Sequence, residues 1–66
     1  MKIRLSSLAP VLLSKRIQSC FKKAGLECKE INSFGEIWNG TNEQVVLCAK
    51  KLNIISKAHL YTEIIR

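Results

Sequence analysis

The segment KIRLSSL alternates, with Ile3 and Leu5 on one side and Lys2, Arg4 and Ser6 on the other. A period of two marks a strand with one buried face. Pro10 then suits the first turn of a helix, where its missing N–H would have no partner in any case. Leu13, Ile17, Cys20, Phe21 and Ala24 follow at helical spacing and make one apolar stripe. Gly25 stands where a helix C-terminus needs a left-handed residue. Lys22 and Lys23 occupy the last turn, where the helix dipole favours cations.

The second half repeats the theme. LECKEI reads as a strand, NSFG as a turn and GEIW as a short third strand, closed by the strong turn signal Asn39-Gly40. Thr41 with Gln44 three residues on is a capping box. It opens a helix whose stripe is Val45, Cys48, Ala49 and Leu52 and whose last turn carries Lys50 and Lys51. In KAHLYTEIIR, Ala58, Leu60, Thr62 and Ile64 alternate with His59, Tyr61, Glu63 and Ile65, which predicts a final strand.

The order is strand, helix, strand, strand, helix, strand. Two right-handed crossovers of this kind close an α+β, ferredoxin-like split βαβ fold. It has a four-stranded antiparallel sheet with two helices on one face, the first and third strands central and the second and fourth at the edges. The third strand is short; without it a three-stranded sheet with two helices remains. No linker, repeat or low-complexity run divides the chain, so residues 1–66 are expected to form a single domain. A hydrophobic content of 47% with three Gly and one Pro argues against disorder. A chain of this size buries only about 60% of its unfolded surface, so a stability of a few kcal/mol is expected.

Charge changes the picture most. The net charge is +6, and the first acidic residue is Glu27. Before it come Lys2, Arg4, Lys15, Arg16, Lys22 and Lys23, while five cations and five glutamates cancel over the remainder. The whole excess therefore sits on the first strand and first helix. With the apolar stripe turned inward, Lys15, Ser19 and Lys22 line the outer helix face and Arg16 and Lys23 its flank. Lys2 and Arg4 are expected on the open face of the sheet, giving two basic surfaces. Segregation of this kind points to an anionic partner, nucleic acid or a ribonucleoprotein.

Other classes are disfavoured. LAPVLL falls far short of the ~20 residues needed to span a bilayer and lacks a signal cleavage site, so no membrane partner is expected. The acid-free, serine-bearing start also has transit-peptide character, but removing it would leave roughly forty residues, too few for a stable core. It is read as part of the fold. There is no Asp and a single His, and the three glycines are isolated, so no phosphate-binding loop exists. Cys20, Cys28 and Cys48 lack zinc-site spacing, and Cys20 and Cys48 lie on core stripes as small hydrophobes. No catalytic residue, metal, cofactor or small-molecule substrate is expected, and the chain is not read as an enzyme. Three unpaired thiols fit an intracellular reducing compartment, where the sequon Asn39-Gly40-Thr41 has no role. On the open sheet face, His59 and Tyr61 near Lys2 and Arg4 are candidate contacts, since aromatics flanked by cations can stack bases. The aromatic-rich consensus of sheet-face RNA binders is missing, and Tyr61 and Trp38 packing on a partner protein or covering the sheet is the alternative.

The N-terminal third carries a resemblance. Lys-Ile-Arg-Leu, a following serine, Leu12-Leu13, Ser14, Ile17 and the ending Lys22-Lys23-Ala24-Gly25 resemble the small-subunit ribosomal protein S-ten (NusE) family. The likeness covers residues 2–25 with a short gap in the helix. The family has a long hairpin between its middle strands, where this chain has only NSFG, and a proline-rich stretch that is absent here. The resemblance therefore implies a reduced, organellar-like form: a structural RNA-binding component of the small ribosomal subunit, in the mitochondrial matrix or another compartment. Its partners would be rRNA and ribosomal proteins, met through Lys2, Arg4, Lys15, Arg16, Lys22 and Lys23. The competing expectation is a small basic protein-interaction adaptor that uses a sheet edge or the Tyr61 face.

Overall fold

The computed structural model describes residues 1–66. The alternating start becomes β1 (Lys2–Ser6), with Ile3 and Leu5 almost fully buried. It is followed by α1 (Val11–Lys23), β2 (Glu27–Asn32), β3 (Gly35–Asn39), α2 (Asn42–Leu52), a single 3-10 turn at Ala58–Leu60, and β4 (Thr62–Ile65). The sheet order is β2-β3-β1-β4, antiparallel throughout. This is the α+β ferredoxin-like arrangement, with β1 and β3 central. The short third strand forms because β1 pairs with it along its full length, from Lys2 opposite Asn39 to Ser6 opposite Gly35.

Local chemistry sets the helix ends. At the close of α1 the Gly25 N–H donates to Lys22 O and the Leu26 N–H to Phe21 O, with Gly25 at φ +90°. That pair of bonds is a Schellman closure. At the start of α2 the Thr41 hydroxyl accepts from the Gln44 N–H at 3.2 Å, and the Gln44 side chain accepts from the Thr41 N–H at 2.9 Å. In the β2–β3 hairpin Asn32 Oδ1 accepts from the Phe34 N–H at 2.8 Å. Gly35 follows at φ +135°, and a Cβ there would run into the Leu5 carbonyl.

Both helix stripes face the same side of the sheet. Ile17, Cys20 and Phe21 of α1 and Val45, Cys48 and Leu52 of α2 meet Ile3, Leu5 and Trp38, with Leu26 and Ala58 completing the core. The Phe21 and Trp38 rings lie 5.3 Å apart at a tilt of 53°. Trp38 is only 5% exposed, and its indole N–H donates to Glu36 Oε1 at 2.9 Å. Gln18 of α1 donates to the other oxygen of that carboxylate at 2.8 Å. A buried indole needs such an acceptor, and Trp38 is accordingly a core residue with no surface to offer a partner.

The last strand differs from the expected one. Alternation from residue 57 onward predicts β-structure, yet β4 begins only at Thr62. Lys57 takes a left-handed backbone at φ +67°, and Ala58–Leu60 wind into one tight turn. The turn drops Ala58, fully buried, into the core while Leu60 remains exposed. A small residue filling a tight gap mimics the inward position of a strand, so alternation alone did not distinguish the two.

Candidate nucleic-acid interface

On α1, Lys15, Arg16, Ser19, Lys22 and Lys23 are all exposed. The helix holds no acidic residue, and its cations fall into two pairs seven residues apart, about 10 Å along the axis. α2 packs beside α1 and adds Lys50 and Lys51, also exposed, against the single acid Glu43. The two-helix layer thus carries six cations and one carboxylate. The protein has two ion pairs, Arg4–Glu63 and Lys29–Glu27, and neither involves a helix residue. Every cation of the layer is free to meet an external anion.

The opposite face has a different balance. Register places Arg4 beside Ile37 and Glu63, and Lys2 beside Asn39 and Ile65. Glu27 lies across from Asn39 and Glu30 across from Ile37, with Lys29 between them at a β-bulge. Lys2 and Arg4 therefore share the open face with Glu27, Glu30 and Glu63. The Arg4 guanidinium donates to Glu63 at 2.8 Å. Lys29 hydrogen-bonds Glu27 at 2.8 Å, which holds that carboxyl below its usual range and raises the ammonium in return. Lys2 and Arg4 thus lie on the open face as expected, but that face is mixed in charge and not uniformly basic. β4 brings Glu63 beside Arg4, and β2 adds Glu27 and Glu30 on the far side of β3.

His59 stands apart from the expected sheet-face group, and Tyr61 keeps its place beside β1. His59 lies in the 3-10 turn, exposed, and lines a groove of about 260 Å³ with Ile3, Leu52, Asn53 and Ile64 on the helix side of the sheet. Tyr61, half-buried, ends that turn, and its carbonyl accepts from the Ser6 N–H at 2.7 Å. His59 is thus off the open face, whereas Tyr61 stands opposite Ser6 at the head of the β1–β4 pairing, so a single aromatic residue borders the strands of Lys2 and Arg4.

Two of the three thiols are structural in character. Cys20 and Cys48 touch across the helix interface, sulfur to sulfur at 3.8 Å. Burial first, then the nearby Cys20, pushes the Cys48 thiol up to about 12, so it stays protonated and a poor nucleophile at neutral pH. Cys28 is exposed on the edge strand β2. No group of three or more His, Cys, Asp or Glu is placed to hold a metal ion, and no helix is long and apolar enough to cross a membrane.

Two features of the surface are not legible from local sequence. Lys50 and Lys51 are visible there as last-turn cations, but only the packing of α2 against α1 adds them to the basic layer. The second is an apolar end. Leu8, Val11, Leu12, Ile31 and Phe34 are each 70–82% exposed. The Ser7 N–H donates to Phe34 O at 3.3 Å and the Ser7 hydroxyl to Ser33 O at 3.0 Å, tying the segment after β1 to the hairpin. No protein-family model, curated protein or solved structure matches the chain.

Proposed function

We propose that the protein is a non-catalytic RNA-binding component of a ribonucleoprotein, docking its two-helix layer on the phosphate backbone. The observation that carries this reading is the layer's excess of cations, none of them held in an ion pair. Lys and Arg on a rigid surface neutralise phosphates and release counterions, which yields affinity without sequence reading. Lys15, Arg16, Lys22 and Lys23 are the principal contacts, extended by Lys50 and Lys51. Lys2 and Arg4 are secondary, since Glu63 already neutralises Arg4. The resemblance of residues 2–25 to the ribosomal S-ten family supports the small ribosomal subunit as the particle, in mitochondria or another reducing compartment.

The test uses Lys15→Gln, Lys22→Gln and Lys23→Gln together in the full chain. Exposed charges away from caps and core alter stability by at most about 0.5 kcal/mol each, so the circular dichroism spectrum should be kept. Affinity for rRNA fragments should fall, and the salt slope should flatten by up to about 0.9 for each phosphate that is no longer neutralised. Undiminished binding by this variant would reduce the basic layer to a solvated surface. A tagged chain that never co-sediments with small subunits at low salt would remove the ribosomal assignment.

The apolar end favours a second reading, an adaptor that meets a protein partner through Leu8, Val11, Leu12, Ile31 and Phe34. Such a complex should lose little affinity between about 50 and 200 mM salt, whereas a phosphate complex weakens steeply.

A further inference from the structure

We infer that the nucleic acid taken by the two-helix layer is double-helical RNA, held by its backbone without sequence preference. This deepens the RNA-binding reading and rests on it. Proteins that hold unpaired strands supply aromatic faces, on which stacking contributes about 1–3 kcal/mol per base. The layer has none: Phe21 is the only aromatic residue of α1 and is fully buried, and α2 has no aromatic residue. Of the other aromatics, Trp38 is enclosed in the core, Tyr61 is half-buried at the turn before β4, and the exposed Phe34 sits in the β2–β3 turn and on neither helix. Beside the exposed aliphatic side chains Val11, Leu12, Val46 and Leu47, the polar groups the layer presents are chiefly unpaired ammonium and guanidinium groups, with the Ser19 hydroxyl among them. That is the chemistry of phosphate oxygens and 2′-hydroxyls.

Shape narrows the choice further. α1 and α2 lie side by side against one sheet, with Cys20 touching Cys48 between them, so neither helix projects alone. A helix that reads B-DNA enters a major groove about 12 Å wide by itself. A broad two-helix surface suits the wide, shallow minor groove of A-form RNA and its flanking phosphates instead. The cation pairs of α1 are fixed about 10 Å apart on a helix. Fixed charges gain most from a partner whose phosphates are equally fixed, and a duplex offers a higher charge density than a single strand.

The experiment titrates the full chain against three fluorescent probes of roughly 20 nucleotides per strand at about 100 mM salt: an RNA duplex, an unpaired oligouridine and a DNA duplex. The RNA duplex should bind about tenfold or more tighter than the oligouridine, and a duplex of unrelated sequence should bind equally well. Lys15→Gln with Lys22→Gln should weaken the duplex complex by a larger factor than the oligouridine complex. Oligouridine binding as tightly as the duplex, or a DNA duplex competing on equal terms, would overturn the inference while leaving RNA binding intact. Failure of all three probes even at low salt would instead overturn the RNA-binding reading itself.

Discussion

Replacing Phe21 by leucine tests the packing that turns the basic residues of α1 outward. Phe21 is fully buried and its ring sits 5.3 Å from that of Trp38. Truncation to alanine would cost about 3–5 kcal/mol. A domain this small has only about 3–5 kcal/mol in total, so that variant would unfold outright. Leucine keeps most of the apolar volume but loses the tilted aromatic pair, worth about 0.5–1.5 kcal/mol, and leaves part of the ring's space empty. The expected destabilisation is about 1–2 kcal/mol. With a urea slope near 1 kcal/mol per molar for a small chain, the midpoint should fall by about 1–2 M. Trp38, the single tryptophan, reports the core by fluorescence, and far-ultraviolet circular dichroism reports the helices. Leu12→Ala is the internal control: Leu12 lies on the same helix but is exposed, so its midpoint should move by less than about 0.5 M. Equal midpoints for the parent and Phe21→Leu would mean that the stripe is not the buried face. Lys15, Lys22 and Lys23 would then not share an outward surface, and the proposed interface would lose its geometric basis.

Other outcomes follow from individual side chains. Lys2→Gln with Arg4→Gln should leave RNA affinity within about twofold of the parent in a filter-binding titration, because both lie on the sheet face away from the helix layer and Glu63 already pairs with Arg4; a loss as large as that of the helix variant would contradict the charge partition. Thr41→Ala removes one half of the capping box and should lower stability by about 1 kcal/mol in urea unfolding, while Thr41→Ser should nearly restore it. The Cys48 thiol has an ordinary value of 9.0 and is raised to about 12 in the fold. Its contribution is therefore complete below about 9 and declines as pH rises towards 12, since the unfolded chain releases a proton that the folded thiol keeps. The urea midpoint should drop between these values, and Cys48→Val should show a smaller drop across the same range. A thiol reagent at neutral pH should modify exposed Cys28 rapidly and leave buried Cys20 and Cys48 protected, read by mass spectrometry.

Much of this molecule follows from short-range patterns. Alternation at Ile3 and Leu5 placed β1, and the stripes through Ile17 and Phe21 and through Val45 and Cys48 placed both helices. Gly25 and the Thr41–Gln44 box marked helix ends. Each signal works because the hydrophobic period and the capping chemistry are satisfied within a few residues of backbone. Their order, joined to the handedness of crossovers, was enough to give the sheet its strand order. The outward direction of Lys15, Lys22 and Lys23 follows in the same way, as the complement of a buried stripe.

What the sequence alone did not decide depends on neighbours that are distant along the chain. The excess charge is confined to the first 26 residues, which suggested two basic surfaces, but the field at a face is summed over strands in space. Glu63 reaches Arg4 across 59 positions of sequence, and β2 adds Glu27 and Glu30 beyond β3, so one surface becomes mixed in charge. The other gains Lys50 and Lys51 only because α2 packs against α1. Local alternation around His59 and Tyr61 pointed to a strand, and tertiary packing prevailed: burying Ala58 required the left-handed step at Lys57 and one tight turn before β4 could start. Periodicity reports which side of an element is apolar; only the assembled sheet and helices determine which charges end up as neighbours.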